Sequence, residues 1–235
     1  MAITPVMAAQ THEAENSVEF NNQEAYAGEE TVGEANLKLQ LPFNVPSQWE
    51  NKNGEVPDSI YGYKVEDNQF VPKEGDTWFV YGWFGYIGAI LSPNNAQYEA
   101  YGGRHNGIDF AGREGLEIIS AYPGEVIFVG ENIGSTVIVK IENDYLITYG
   151  HLDEITVRAG ERVAYGDTIG TLGNSGTINP HLHLGLSRYD NQGNLWFINP
   201  YEYFDWDGVL IPDAPANRFY AGDILDPGKQ VDFAL

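Results

Sequence analysis

The sequence predicts an all-β, antiparallel domain over residues 77–204. Three observations predict it. Short runs rich in Val, Ile, Tyr and Phe (TWFVYGWF, GEVIFVG, STVIVKIE and DYLITYG) are bounded by Gly, Pro, Asn or Asp, as strands are. Glycines recur at Gly160, Gly166, Gly170 and Gly173, a spacing suited to tight turns between very short strands. No segment carries a three-turn amphipathic helical pattern, and no repeat of fixed period is visible.

Taken in order, residues 1–37 are rich in Glu, Asn, Gln, Ala and Thr and lack either periodicity, which predicts a flexible acidic leader. Residues 38–76 hold Pro42, Pro46, Pro57 and Pro72 between short segments containing Phe43, Trp49, Tyr61, Tyr63 and Phe70. They predict irregular structure packed on a larger core. The strand texture begins at Thr77. Within it, STVIVKIENDYLITYG reads as a hairpin with Glu142 to Asp144 at the turn. Residues 205–235 are Asp- and Pro-rich, with Trp206, Phe219, Tyr220 and Phe233, and predict a tail that wraps over the β-domain.

Composition narrows the function classes. The 235 residues suffice for one good-sized core, and 43% hydrophobic with 20% charged residues is ordinary for a folded protein. The 12 Lys and Arg against 34 Asp and Glu leave a net charge of −22, which repels nucleic-acid backbones and argues against electrostatic docking on anionic membranes or polyanionic wall polymers. No run approaches the roughly 20 apolar residues of a membrane helix. The absence of cysteine removes disulfides, thiolate ligands and cysteine nucleophiles together. The opening MAITPVMAAQTHEAE has no Lys or Arg and a short apolar stretch, so it is not a complete signal peptide. It reads as the trimmed start of an exported precursor, which predicts a secreted or cell-envelope protein. A monomer is expected.

Four of the five histidines lie in the β-rich half, in the motifs His105-Asn-Gly-Ile-Asp109, Tyr149-Gly-His151-Leu and His181-Leu-His183-Leu. His12 lies in the leader. TINPHLHLGL reads as a strand, so His181 and His183 share one face while Leu182 and Leu184 point to the core on the other. His105 and Asp109 sit at the entry to a strand, and Gly107 between them permits a bend that brings both side chains to one point. Imidazole nitrogen and carboxylate oxygen are zinc ligands. Two from this motif and one from His181-Leu-His183 make three, and leave a fourth tetrahedral position for water, the arrangement of a catalytic zinc centre. Spacing does not say which histidine of the pair binds.

The motifs, with RHNGIDFAGREGLEIISAYPGEVIFVG, TVIVKI and YLITYGHLDEITVRAGERVAYGDTIGTLGNSGTINPHLHLGL around them, resemble the lysostaphin/LytM-like zinc metallopeptidases of bacterial cell walls. The lead-in WFGYIGAILSPNNAQYEAYGGRHNGIDF is similar too. The resemblance implies an antiparallel barrel-sandwich hybrid with a narrow groove and one Zn²⁺ per chain at its floor. It implies His105, Asp109 and His183 as ligands and His151 and His181 as unligated catalytic histidines. The implied substrate is the peptide part of peptidoglycan, in stem peptides or cross-bridges. Leu184-Gly185 departs from the Phe-Glu or Phe-Gln common in the family, and Gly185 loses a polar side chain. Tyr149 reads as a groove-lining residue or as a core aromatic.

The expected chemistry is hydrolysis of a peptide bond by an activated water, with a histidine as general base; HExxH, with its glutamate base, is absent. Two other readings follow. A relative that has lost catalysis would bind the wall or activate its hydrolases. In a latent enzyme, Asn94-Asn95 or the leader would plug the groove.

Overall fold

The computed structural model describes residues 37–45, 65–66, 69–70, 78–85, 104–178, 180–206 and 232–234. Nearly all of the predicted leader, Asn94-Asn95, most of residues 46–77 and most of the C-terminal tail lie outside the described residues.

The regular structure among the described residues consists of strands and two short 3₁₀ turns. Strands β1 (Val65–Glu66) and β2 (Gln69–Phe70) form a small antiparallel pair. Then come β3 (Trp78–Gly82), β4 (Ile108–Gly112), β5 (Glu117–Ile119), β6 (Gly124–Asn132) and β7 (Gly134–Lys140). These are followed by β8 (Leu146–Gly150), β9 (Leu152–Ile155), β10 (Arg162–Val163) and β11 (Thr168–Leu172). The last are β12 (His181–Tyr189), β13 (Leu195–Ile198) and β14 (Phe233–Ala234). The main sheet has nine strands, with the path β10-β6-β7-β8-β12-β13-β14 and with β4 and β3 joined through β12. β5, β11 and β9 form a second sheet of three. All strand pairs are antiparallel, as the sequence predicts. No described helix is long and apolar enough to cross a membrane.

Strand β12 organises the sheet. Its first half, His181–Leu184, pairs with β4, and its last four residues pair with β13 on that same edge. Its other edge pairs with β8 from His183 to Ser187. Alternation gives β12 an apolar face of Leu182, Leu184 and Leu186, each fully buried. Across the ladder these meet Phe110, Ile108 and Ile147, which are also fully buried. Removing such a side chain from water contributes about 1.5–3 kcal/mol.

The predicted hairpin is β7–β8, and its 3₁₀ turn is Glu142–Asp144. Asn143 and Asp144 take positive φ there (54° and 60°), which Asn and Asp tolerate better than most residues. The glycines after His151 divide by role. Gly160 and Gly166 have positive φ (85° and 80°) and serve turns. Gly170 and Gly173 do not. A Cβ at Gly170 would overlap the Glu154 carbonyl, and one at Gly173 would lie 2.5 Å from the Asp153 nitrogen. These two let β11 press against β9, a close approach rather than a turn.

Residues 37–45 contribute to the same core. Leu39 donates its N–H to the Tyr203 carbonyl at 2.8 Å and forms a parallel bridge with Phe204. Phe43 stacks on Trp78 with ring centroids 4.9 Å apart.

Of the two readings of Tyr149, the core aromatic holds. The side chain is fully buried, and its hydroxyl accepts from the Ala121 N–H at 2.8 Å. Burial pushes the phenol up to about 12. Tyr149→Phe leaves that N–H buried without an acceptor, so it should lower the unfolding free energy by about 1–3 kcal/mol, read from the denaturant midpoint.

Candidate metal centre

The ladder positions of β12 bring the motifs together. His183 lies opposite Asp109 of β4 on one side and Gly150 of β8 on the other. His105 precedes β4, and His151 follows β8 at once. His181 stands two residues from His183 on the same face of β12.

Three donor atoms converge. His105 Nε2 lies 3.0 Å from Asp109 Oδ1, His183 Nδ1 lies 3.0 Å from the same oxygen, and the two nitrogens are 3.2 Å apart. All three residues are buried. Together they form a group that could hold a metal ion. Ligands at 2.0–2.1 Å around a tetrahedral ion are separated by about 3.3 Å, close to the sides of this triangle.

The protonation of His105 tests the fit. Its Nδ1 is 2.8 Å from the Trp83 carbonyl, which can only accept, so Nδ1 carries a proton. A neutral His105 then turns a lone pair toward Asp109 Oδ1. That contact is attractive only if positive charge lies between: a second proton on the ring, or a metal ion. One divalent cation held by the three donors would serve both nitrogens at once. Burial alone would raise the Asp109 carboxyl, but His105 and His181 and the hydrogen bonds of His105 and His183 hold it well below the usual carboxylate range. Burial pushes His183 down, toward the neutral form that a metal requires.

Gly107 has a role beyond the expected bend. The chain bends there, but Gly107 is not among the glycines of positive φ. A Cβ on it would lie 2.6 Å from the Leu184 carbonyl and 2.7 Å from His183 Nε2. Glycine is required because β12 passes against it.

His151 and His181 stand beside the triangle. Their rings are 4.5 Å apart, and His151 is 6.3 Å from the ring of His183. His181 Nε2 is 3.8 Å from Asp109 Oδ2. His151 occupies the corner between β8 and β9 with φ of 59°, a left-handed conformation that is costly outside glycine. Its backbone N–H donates to the Ile133 carbonyl at 2.8 Å. Its Nδ1 donates to the Ser175 carbonyl at 2.7 Å, which leaves the lone pair of the neutral ring on Nε2. Burial, with His181 and His183 nearby, pushes His151 down to about 3.

Sequence reasoning missed Trp83 and Ser175. Both act through backbone carbonyls, which carry no residue signature. Ser175 is itself clamped: its Oγ accepts from the Ser135 N–H and donates to the Leu152 carbonyl, each at 2.8 Å. The Asn-Ser between Gly173 and Gly176 was a usable signal, since a hydroxyl in a glycine loop often braces backbone. Gly134, with φ of 60°, makes room for this loop, because a Cβ there would overlap the Ser175 carbonyl.

The chain matches peptidase family M23 over residues 103–195, a stretch that includes all five site residues. It is 36% identical over 104 residues to the murein hydrolase activator NlpD of Escherichia coli K12, covering 43% of this chain and 26% of that protein. It is 35% identical over 98 residues to the lipoprotein NlpD of Yersinia enterocolitica, covering 40% of this chain and 96% of that sequence. It is 36% identical over 85 residues to the peptidoglycan DD-endopeptidase ShyA of Vibrio cholerae, covering 35% of this chain and 20% of that enzyme. The matched region thus spans about a quarter of the length of the Escherichia coli relative.

Two outcomes are expected from this geometry. His151 is protonated near 6.5 when unfolded and near 3 when folded, so the unfolded chain binds the extra proton first. Stability should therefore be full above pH about 6.5 and fall toward pH 3, by up to about 1.4 kcal/mol per pH unit from this group. Denaturant titrations from pH 7 to pH 4 measure the slope, with His151→Gln as the variant that flattens it. Gly134→Ala should displace the Ser175 carbonyl and release the His151 ring. Long-range ¹H–¹⁵N spectra should then show the Nδ1–H form of His151 mixed with the other tautomer.

Proposed function

The chain belongs to peptidase family M23, and on that premise we propose that it is a zinc-dependent endopeptidase that hydrolyses stem or cross-bridge peptides of bacterial peptidoglycan. One observation carries the reading. Three side chains that suit zinc form a triangle, and two further imidazoles stand beside it.

In this reading His105 Nε2, Asp109 Oδ1 and His183 Nδ1 hold the ion. Bound there, zinc would supply Lewis acidity, acidifying a water and polarising a peptide carbonyl. His151 gives Nδ1–H to Ser175 and keeps the lone pair of Nε2, so Nε2 takes the proton of the attacking water. We assign to His181, in its protonated form, the stabilisation of the developing negative charge on the carbonyl oxygen and the delivery of its own proton to the departing amine; the proton taken by His151 returns to solvent water, from which His181 is reprotonated. The substrate places the protein outside the cytoplasm or in the cell envelope.

A second reading has a specific basis in the name of the Escherichia coli relative, a murein hydrolase activator. Under it the chain binds the wall and stimulates another hydrolase without cutting.

Purified peptidoglycan of known cross-link, incubated with the zinc-loaded chain, separates the two by mass analysis of the fragments. The endopeptidase reading expects fragments that identify one cleaved peptide bond. His105→Ala should lose both zinc and cleavage, as should treatment with a chelator. His151→Ala should keep zinc and lose cleavage by about 10²–10⁴-fold. Full activity in His151→Ala would sink the mechanism. A wild-type chain that releases nothing alone but accelerates a second wall hydrolase would establish the activator.

A further inference from the structure

The imidazoles of the centre are braced unequally. His105 hands its outer nitrogen to the Trp83 carbonyl and His151 hands Nδ1 to the Ser175 carbonyl. His183 turns Nδ1 toward Asp109 and His105, but its Nε2 is fully buried and has no hydrogen-bond partner among the described residues.

Nearby backbone explains why. Residues 183 and 185 of β12 share a face. A Cβ at Gly185 would lie 3.6 Å from His183 Nε2, 3.5 Å from Thr148 Cβ and 3.3 Å from the Asn106 carbonyl. A small side chain therefore fits once the Asn106 carbonyl gives by a few tenths of an ångström, and its next atom would come within hydrogen-bond reach of Nε2. On another side Gly107 presses so close that no side chain can enter. Position 185 can deliver an acceptor to the outer nitrogen of His183, and glycine delivers none.

An acceptor on the outer nitrogen of a ligating histidine fixes the ring and raises the basicity of the ligating nitrogen. Loss of such a partner typically costs 10–100-fold in metal affinity. We propose that Gly185 is an affinity-setting residue of the metal centre: it leaves His183 unbraced and so weakens the hold of the three ligands on zinc. The inference rests on the zinc reading of the site. Gly185 is not one of the residues that would hold the metal, and it acts through His183. Its consequence is a centre whose loading follows the free zinc of its surroundings.

The test compares zinc dissociation constants of the full chain and its variants, by competition with a chromophoric chelator. Gly185→Ser places a hydroxyl oxygen beside Nε2 and should tighten zinc by about tenfold or more. Gly185→Ala adds the same Cβ without an acceptor and should stay within about twofold of wild type. The ¹⁵N shift of His183 Nε2 should report a new hydrogen bond in the serine variant alone. Gly185→Asn is a second acceptor variant should the serine variant fail to fold. Equal affinities for serine and alanine, or a loss of affinity in alanine, would overturn the role of Gly185 while leaving the zinc centre standing. No zinc binding by wild type, with no difference from His105→Ala, would overturn the zinc reading itself and this inference with it.

Discussion

A strand has two faces, and β12 commits both. Leu182, Leu184 and Leu186 fill the core, so the residues between them must face the other way. His181 and His183 are there because the leucines are where they are. A slip of one residue against β4 or β8 would bury the imidazoles among aliphatic side chains and turn the leucines toward the site. The hydrophobic effect, acting on one face, fixes the register that assembles the chemistry on the other.

The polar face has its own physics. Five ionisable side chains are buried together, which is costly unless each finds partners. Mutual contacts meet part of that demand, since His105, Asp109 and His183 touch one another. Backbone carbonyls meet another part, at Trp83 and Ser175. These carbonyls also dictate which nitrogen of each ring remains open. The fold thus selects tautomers with groups that belong to its loops, and a cation held by the triangle would complete the balance of charge.

The sequence made the strands and the site visible to different depths. The hairpin with its turn at Glu142–Asp144 was legible because β-branched runs and turn residues are local signals. The shared face of His181 and His183 was legible because the period of a strand is two. Which of them joins Asp109 was not. That choice depends on pairing with β4, some 74 residues away in the chain for His183 and Asp109. The glycines misled in part. Gly170 and Gly173 looked like turns but exist for close packing, and Gly107, where the chain does bend, is also required by packing; both depend on a neighbouring strand that the local sequence does not reveal. Tyr149 could be read two ways because an aromatic at a strand end suits either a groove or a core, and only the Ala121 N–H decides.

The left-handed backbone of His151 bears on how such a site would decay over evolutionary time. At most positions, the readiest replacements for a histidine that selection no longer protects are drawn from many side chains. Here the corner between β8 and β9 filters them. Valine, isoleucine and threonine are penalised by their branched Cβ, whereas glycine and asparagine fit the conformation with little strain. A lineage that kept the fold as a binding surface and abandoned catalysis would therefore drift at this position toward glycine or asparagine. Such a change would relieve the strain of the corner, and against that gain would stand the loss of the buried hydrogen bond to the Ser175 carbonyl.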